Sequence, residues 1–294
     1  MDTTVLVTGA SGLVVHYLHG AIGDLGHRVV CTADAGGRFD LPRLVHVMRE
    51  NGVDRIVHAA DASDPELSID MPAATVVANV ESVLHLLEAA RLAQLRGRIV
   101  LLSSTAVYGD HQGPIDEASP LRPRTPHAVT KVTAEQLGAV YADLYGLDVV
   151  VLRIGDEYGP ELAPPAVVGA VVAAAARGEP YRAFAGAAQT FNLTHGEDIA
   201  RAVIAALSAS GARRGVYNVT GGERHTLAQI AALVHGRFPE SAVDIGPGYL
   251  PELARQGRVA IRAAGEELGY RPRWGLARGL DDYAEWLLAR AEAA

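Results

Sequence analysis

Short runs of β-branched and aliphatic residues alternate along the first half of the chain with longer amphipathic stretches. The runs predict strands at 3–8, 28–32, 54–60, 98–102 and 148–153. The stretches between them predict helices at 13–25, 42–50, 71–94 and 126–145. Strands that alternate with helices at this spacing predict an α/β fold with a Rossmann-type, doubly wound parallel sheet.

The pattern changes at 155–165, where glycine and proline interrupt it, and this predicts a crossover into a smaller C-terminal lobe. Beyond it the pattern predicts helices at 167–177, 197–208, 227–235, 263–268 and 276–289, and strands at 191–194 and 216–219. The strand at 191–194 is expected to return to the main sheet. We therefore predict a dinucleotide-binding domain at 1–155, joined again by 190–222, and a substrate-binding lobe formed by 156–189 and 223–294.

A glycine-containing turn, Thr8-Gly9-Ala10-Ser11-Gly12, separates the first predicted strand from the first helix. In parallel α/β sheets such a turn places backbone N–H groups and a helix N-terminus around a phosphate. Gly9 allows the tight turn, and Gly12 lets the backbone approach a pyrophosphate. Val15 stands where the T-G-x-x-G-x-x-G form of this loop has a third glycine, so we expect the helix to be pushed outward or the pocket to be reshaped.

Acidic residues follow the second predicted strand. Asp34 is suited to bind a ribose diol and repel a 2′-phosphate, which favours NAD over NADP, or it is a turn residue before two glycines. Arg38 lies close by and would reverse that preference, so NADP stays open. Asp40 either contacts the cofactor or is the N-cap of the next helix.

Composition narrows the function classes. A net charge of −8 argues against binding to nucleic acid or to an anionic membrane. No apolar stretch is long enough to span a bilayer, no basic region precedes the first strand to suggest a signal peptide, and no His/Cys/Asp cluster has the spacing of metal ligands. Cys31 lies in an apolar run, which predicts a buried position. Because it is the single cysteine, an intrachain disulfide is excluded, and this favours a reducing, cytoplasmic location.

Several further motifs are informative when they are taken together. They are Ile56-Val57-His58-Ala59-Ala60, 79–90, Ser103-Ser104-Thr105-Ala106-Val107-Tyr108-Gly109, 125–131, Tyr158-Gly159-Pro160, Glu197-Asp198-Ile199-Ala200 and Leu268-Gly269-Tyr270-Arg271-Pro272. With the glycine loop, they resemble the extended short-chain dehydrogenase/reductases, the NAD-dependent epimerase/dehydratase family, over nearly the whole chain. The resemblance implies NAD as cofactor. The residues expected to contact it are Gly9, Ser11, Gly12, Leu13, Val14, Asp34, Asp40, Leu41, Ala59, Ala60, Lys131 and Ile154.

The resemblance also implies a catalytic Tyr-x-x-x-Lys pair on one face of a helix, with the lysine on the cofactor ribose. Here Lys131 is present, but His127 occupies the tyrosine position. A histidine can act as a base near neutral pH, and a neighbouring lysine cation is expected to keep it neutral. However, imidazole is shorter than phenol, so a bridging water, a deeper substrate or the loss of redox chemistry all stay open. Ser104, in the family's catalytic Ser/Thr position, either bonds the substrate oxygen or caps a turn.

Other departures concern the substrate. Where the family usually has an arginine that binds the substrate diphosphate, this chain has Phe191. The family's next residue is usually an aspartate, and here it is Asn192. A usual asparagine is replaced by Asp156. Asp61 replaces a small residue. The residues expected to contact the substrate are Ser104, Thr105, Asp156, Phe191 and Asn192.

We therefore predict an NAD(P)-dependent enzyme of the epimerase, dehydratase or reductase type, in which Ser104, His127 and Lys131 are catalytic and a small sugar-like or natural-product molecule is the substrate. The alternatives are a non-redox lyase, isomerase or cyclase on the same fold, and a ligand-binding pseudoenzyme. A nucleophilic Ser104–His127 pair is disfavoured because there is no G-x-S-x-G elbow. The resemblance also implies a homodimer through a four-helix bundle built from the helices at 71–94 and 126–145.

Overall fold

The structure is a computed structural model and describes residues 3–9, 12–32, 40–61, 67–162, 166–212 and 215–292. The strands in these ranges are β1 (Thr4–Thr8), β2 (Arg28–Thr32), β3 (Arg55–His58), β4 (Ile99–Ser104), β5 (Val149–Ile154), β6 (Asp156–Tyr158), β7 (Tyr181–Ala183), β8 (Thr190–Phe191), β9 (Leu193–His195), β10 (Val216–Val219), β11 (His225–Thr226) and β12 (Val243–Ile245). The α-helices are α1 (Leu13–Asp24), α2 (Leu41–Glu50), α3 (Leu67–Asp70), α4 (Pro72–Leu92), α5 (Pro126–Tyr145), α6 (Val167–Ala176), α7 (Gly196–Ser208), α8 (Leu227–Arg237) and α9 (Leu276–Glu292). A 3-10 helix covers Thr105–Tyr108, and a single π-helical turn replaces the predicted helix near 263–268.

Six of these strands form one parallel sheet in the order β10-β5-β4-β3-β1-β2. β1 lies where the strand order reverses, and ligands of such sheets bind at the carboxyl ends of the strands beside that reversal. The prediction of a doubly wound parallel sheet is confirmed.

Side chains of β1 alternate between two hydrophobic layers, as a strand period of two requires. Val5 and Val7 contact the layer that contains α1 and α7, whereas Leu6 contacts the layer of α2, α4 and α5. Each such side chain stabilises the fold by about 1.5–3 kcal/mol on burial. Because both faces are covered, all five residues of β1 are buried.

The smaller lobe has its own core, in which α6, α8 and α9 pack around Phe191 and Tyr158. The prediction that 191–194 joins the main sheet is wrong. The segment divides instead into β8, which pairs with β11, and β9, which pairs with β6. Of the described strands that follow β5, it is β10 that returns to the main sheet, beside β5. The division of the chain into the two predicted domains stays a prediction.

Two further expectations are corrected. Cys31 is exposed, because β2 is the edge strand of the sheet and none of the described strands lies on its outer side. Helix α4 is long enough, with a mean hydropathy of 1.2, to cross a bilayer by length and composition alone, although no stretch was expected to be. In the structure α4 packs against the sheet, α2 and α5, so its apolar residues contribute to the core.

The smaller lobe is bonded directly to the end of β4. Two parallel bridges join 111–115 to 256–259: His111 with Gln256, and Ile115 with Val259. The Gln256 side chain donates to the Thr105 carbonyl at 2.6 Å. The Asn192 amide donates to the Gly257 carbonyl at 3.0 Å and accepts from the Val259 N–H at 3.0 Å. Residues 256–259 therefore form a seam between the lobes.

A buried ion pair fixes α5 to the sheet. Arg153 on β5 makes a two-point contact with Glu135 on α5, with Nη2–Oε2 at 2.7 Å and Nε–Oε1 at 3.0 Å. The Ser103 hydroxyl donates to the same carboxylate at 2.6 Å. Arg153 also donates to the Tyr108 hydroxyl, which donates to the Asn218 side chain at 2.6 Å. The network joins β4, β5, β10 and α5 beneath the carboxyl edge of the sheet.

Replacing Glu135 tests this network. In Glu135→Gln the Arg153 guanidinium stays buried without its counter-charge, so the free energy of unfolding should fall by about 3–5 kcal/mol in urea titrations followed by circular dichroism. The control is Glu266→Gln, which removes an exposed pair with Arg262 and should cost less than about 1 kcal/mol. Equal losses in the two variants would contradict the assigned role of Glu135.

Candidate active site

The turn after β1 leaves room for a ligand backbone. Gly9 has a φ of +107°, and a Cβ there would lie 3.3 Å from the backbone of Ala59 and Ala60, so the turn packs on the end of β3. Gly12 has a φ of +122°, and among the described residues, its chain neighbours aside, no atom lies within 4 Å of a Cβ position. Gly12 is also the N-cap of α1 and supplies no side-chain cap, so the first N–H groups of α1 face an open space suited to an anion.

The other predicted cofactor residues are placed as follows. Leu13, Val14 and Ile154 are buried in the core, so only their backbones are available to a cofactor. Asp40 is the N-cap of α2 without a side-chain bond to it, and Leu41 packs partly on the core. Ser11 and Asp34 lie outside the described residues.

Val15 lies on α1 and is partly buried against the core cluster to which α1 and α7 both contribute. The close approach of these helices occurs at Gly196, the first residue of α7, where a Cβ would lie 2.6 Å from the Leu13 and Tyr17 side chains. Gly196 thus permits tight helix packing at this end of α1. An outward shift of α1 caused by Val15 stays a prediction.

His58, at the end of β3, has a structural role. Its Nδ1 lies 2.7 Å from the Thr8 hydroxyl on β1, and its Nε2 lies 3.5 Å from the Ser82 hydroxyl on α4. Burial lowers the pKa of His58 to about 3, so the ring is neutral at physiological pH. His58 therefore joins two strands and a helix just below the predicted site.

A carboxylate lies between the two predicted catalytic side chains of α5. Asp61 Oδ2 is 2.8 Å from His127 Nε2 and 2.8 Å from Lys131 Nζ. Asn79 on α4 donates to Asp61 Oδ1 at 2.6 Å. Lys131 also donates to the Leu102 carbonyl at 3.1 Å. The structure thus brings His127 and Lys131 together, as their spacing predicted, and adds an anion that touches both.

Electrostatics holds Asp61 in its ionised form. Burial by itself raises the pKa of Asp61, but the Lys131 ammonium and the hydrogen bond with His127 outweigh it and hold that pKa below its ordinary value. From the sequence, a direct like-charge interaction between Lys131 and His127 is expected. The structure shows instead an ion bridge, in which the Asp61 carboxylate separates the imidazole from the ammonium.

His127 is held firmly at the start of α5. Thr125 caps this helix by accepting from the Ala128 N–H at 3.2 Å, and Pro126 occupies its first turn. The His127 N–H donates to the Ser68 hydroxyl at 3.3 Å. The His127 side chain is only 7% exposed, and its Nδ1 is buried without a hydrogen-bond partner among the described residues.

Ser104 is the N-cap of the 3-10 helix, where its hydroxyl oxygen accepts from the Ala106 N–H at 3.1 Å. The capping alternative is therefore realised. It leaves the Ser104 hydroxyl hydrogen available to a substrate oxygen, because a hydroxyl both accepts and donates. Thr105 is buried, and its carbonyl bonds Gln256 in the seam.

The predicted substrate residues divide into two groups. Asp156 is exposed at the edge beyond β5, and one of its carboxylate oxygens accepts from the Asn192 N–H at 2.8 Å. Phe191 is buried in the core of the smaller lobe, and both ends of the Asn192 amide are engaged in the seam. Phe191 and Asn192 thus support the lobe, which corrects the expectation that their side chains line the substrate site.

Two site residues were not predicted. In the sequence, Asp61 stands out only as a departure from a small residue, although a carboxylate at the end of a central strand is a signal for a site. Glu157 on β6 was missed because a three-residue strand has too few positions to show a period. Burial raises the pKa of Glu157 to about 7, while Lys131 lowers it and Asp61 raises it.

A separate cavity of about 300 Å³ lies in the smaller lobe. It is lined by residues of α6, α8 and α9, such as Val172, Leu233 and Leu280, with Arg237 and Asp281 among them. None of the predicted site residues lines it. The edge of the sheet at β1, β3 and β4, where the polar groups converge, is therefore the better candidate for the active site.

Comparison with known proteins decides the family. The sequence model of the NAD dependent epimerase/dehydratase family matches residues 5–220. The chain belongs to this family.

Individual relatives agree with this assignment. A dTDP-glucose 4,6-dehydratase of Streptomyces niveus is 31% identical over 242 residues, covering 80% of this chain and 70% of the relative. A UDP-glucose 4-epimerase of Mycolicibacterium smegmatis is 27% identical over 311 residues, covering 98% and 99%. The solved complex of a Thermus thermophilus UDP-glucose 4-epimerase with NAD has a TM-score of 0.86 at 25% identity, covering 97% of this chain and 99% of that one. These findings confirm the predicted family, the enzyme class and NAD as its cofactor.

The residues of this epimerase/dehydratase family member fit NAD. Gly12 and the start of α1 present open N–H groups to a pyrophosphate, and small Ala59 and Ala60 leave space at the end of β3. Lys131 would hold the ribose next to the nicotinamide, as the family resemblance implies. Asp61 already contacts Lys131 Nζ, so a ribose hydroxyl there would meet a carboxylate and an ammonium together.

Replacing Gly12 tests the phosphate position. Gly12→Ala and the control Gly26→Ala both place a methyl at a positive φ with nothing within 4 Å, so each should lose about 1–3 kcal/mol of unfolding free energy. Only Gly12→Ala should weaken NAD binding, by roughly tenfold or more in isothermal titration calorimetry, because its methyl occupies the pyrophosphate path. Equal NAD affinity in the two variants would place the cofactor elsewhere.

Proposed function

We propose that this protein catalyses an NAD-dependent epimerase, dehydratase or reductase reaction at a secondary alcohol or ketone carbon of a sugar-like or natural-product substrate. The observation that carries the proposal is the cluster of Asp61, His127 and Lys131 at the carboxyl edge of the sheet, close to the end of β4. The similar proteins are named as 4-epimerases and 4,6-dehydratases of nucleotide sugars. Nucleotide sugars are therefore the first substrates to test.

His127 is the proposed acid–base residue. With its Nε2 hydrogen donated to Asp61, the neutral imidazole keeps a lone pair at Nδ1, the buried nitrogen without a partner among the described residues. His127 Nδ1 takes the proton of the substrate hydroxyl and returns it later. Asp61 remains ionised and stabilises the imidazolium that forms, in the manner of a carboxylate behind a catalytic histidine.

The remaining residues orient the substrate and the cofactor. NAD, when bound, would supply the hydride acceptor and donor for chemistry at the carbinol carbon. Ser104 donates its hydroxyl hydrogen to the substrate oxygen, since accepting from the Ala106 N–H leaves that hydrogen available. Lys131 binds the cofactor ribose, with Asp61 beside it to accept from a ribose hydroxyl.

One observation favours a second candidate. Lys131 Nζ already bonds Asp61 and the Leu102 carbonyl, so the ammonium is largely satisfied without a cofactor. The same Asp61–His127 pair would then serve a lyase, isomerase or cyclase reaction through acid–base chemistry alone. In that case the dinucleotide would be structural.

Replacing His127 tests the proposed role. His127→Gln keeps a donor for Asp61 but has no basic nitrogen, so turnover of UDP-glucose, UDP-glucuronate or dTDP-glucose, measured by NMR of the products, should fall by about 10²–10⁴-fold. The control His225→Gln alters a histidine paired with the exposed Glu223 and should retain wild-type turnover.

The same assay distinguishes the alternatives. Unchanged turnover in His127→Gln would remove His127 from the mechanism. Turnover by protein stripped of NAD would favour the non-redox candidate. Binding of a sugar nucleotide without product from any of the three, in the wild type, would favour a ligand-binding pseudoenzyme.

We also propose a homodimer through α4 and α5. Exposed apolar residues lie on one face of each helix, separated by about whole numbers of helical turns. They form two apolar stripes, Val77 and Leu84 on α4, and Val129, Val140 and Leu144 on α5. Burying both stripes against a second copy removes this apolar area from water in a four-helix bundle.

Charging one stripe tests the dimer. Val140→Glu with Leu144→Glu should yield monomers in multi-angle light scattering at micromolar concentration, because two carboxylates would be buried in an apolar interface. The control Phe184→Glu changes a fully exposed residue outside α4 and α5 and should leave the mass unchanged. A wild-type protein that is monomeric throughout would refute the bundle.

We propose a cytoplasmic location on one physical ground. The thiol of Cys31, the only cysteine, is exposed, and exposed thiols stay reduced where glutathione and thioredoxin maintain a reducing environment.

A further inference from the structure

Glu157 occupies a defined place at the edge of the sheet. It lies on β6, which begins after Gly155 at the carboxyl end of β5 and pairs with β9, where Thr194 is its partner. Side chains alternate along a strand. Tyr158 packs into the core of the smaller lobe, and Asp156 bonds the Asn192 N–H, so Glu157 projects from the opposite face of β6.

That face is turned toward the catalytic cluster. The charged groups that act on Glu157 are Lys131 of α5 and Asp61 beyond β3, while its neighbour on β9, Thr194, is uncharged. Among the described residues the Glu157 carboxyl has no hydrogen bond and no ion pair, although it is partly buried. A cation that arrives with a ligand would stabilise the ionised form of such a carboxyl more than that of a carboxyl already paired.

The cofactor supplies such a cation. This step rests on the proposed function, in which Lys131 binds the ribose that carries the nicotinamide. The nicotinamide ring is positively charged in NAD and neutral in NADH, whereas the rest of the two molecules is identical. A carboxylate near the ring therefore attracts one redox form and has little effect on the other.

We propose that Glu157 is a specificity residue for the redox state of the cofactor: its carboxylate faces the cationic nicotinamide ring and favours binding of NAD over NADH. Protonation of Glu157 removes this preference. Hydride transfer from the substrate neutralises the ring, so the ionised carboxylate opposes accumulation of the reduced cofactor.

The sign of the pH dependence follows. The pKa of Glu157 is raised to about 7, chiefly by burial, so the group is mostly protonated well below neutrality and ionised above it. The ratio of the Kd of NADH to the Kd of NAD should therefore rise by roughly five- to tenfold between about pH 5.5 and about pH 8.5 in the wild-type protein. In Glu157→Gln the ratio should change by less than about twofold, because the amide has no charge to lose.

The experiment measures both Kd values by isothermal titration calorimetry, so it needs no substrate. Glu223→Gln removes an exposed carboxyl that is paired with His225 and is not among the charged groups acting on Glu157, so it should keep the full dependence. Glu157→Asp, which retains the charge, should keep part of it. His127→Gln should also keep it, because the dependence is assigned to the Glu157 carboxyl and not to the imidazole of the cluster.

Three results would overturn the inference. The ratio could depend on pH equally in the wild type and in Glu157→Gln. The dependence could disappear in His127→Gln, which would assign it to the histidine. The third such result is that neither the wild type nor any variant binds NAD or NADH. Of the three results, only this one would also overturn the proposed function. Thermal melting of Glu157→Gln checks that the variant is folded.

Discussion

The contact between Glu135 and Arg153 is the constraint on which the site depends. Two buried, oppositely charged groups are stable only when their remaining hydrogen-bonding capacity is satisfied, and Ser103 and Tyr108 satisfy it here. Glu135 lies one turn of α5 beyond Lys131, and Ser103 precedes Ser104 on β4. The pair therefore fixes the position of α5 relative to the strand ends, and with it the positions of His127 and Lys131.

Asp61 gives a physical account of the histidine in the tyrosine position. An imidazole ends closer to its helix than a phenol does, which leaves a space between the ring and Lys131. The Asp61 carboxylate occupies that space, with one oxygen 2.8 Å from each side chain. The His127 ring and the Asp61 carboxylate are joined through Oδ2, and Asn79 holds the other carboxylate oxygen, Oδ1, by donating to it. Asp61 and His127, the two departures from the family pattern that the resemblance implies, thus contact each other directly.

The sequence predicted the main sheet well because long buried strands and amphipathic helices have clear periods. It did not place β6–β9, where strands of two or three residues show no period. The Asn192 amide depends on partners more than sixty residues away, at 257–259. Burial of Phe191 depends on the helices of the smaller lobe, which come from separate parts of the chain. Exposure of Cys31 depends on β2 being the edge strand. The role of Asp61 depends on its distance from His127, which no local pattern contains.

The seam at 256–259 has a mechanical consequence. Gln256 holds the carbonyl of Thr105, the residue directly after Ser104, while its neighbours are bonded to Asn192 of the smaller lobe. A rigid-body displacement of that lobe would pull on the backbone that carries the Ser104 hydroxyl. Closure of the smaller lobe around a ligand would therefore be transmitted to the Ser104 hydroxyl, the group proposed to orient the reacting oxygen of the substrate.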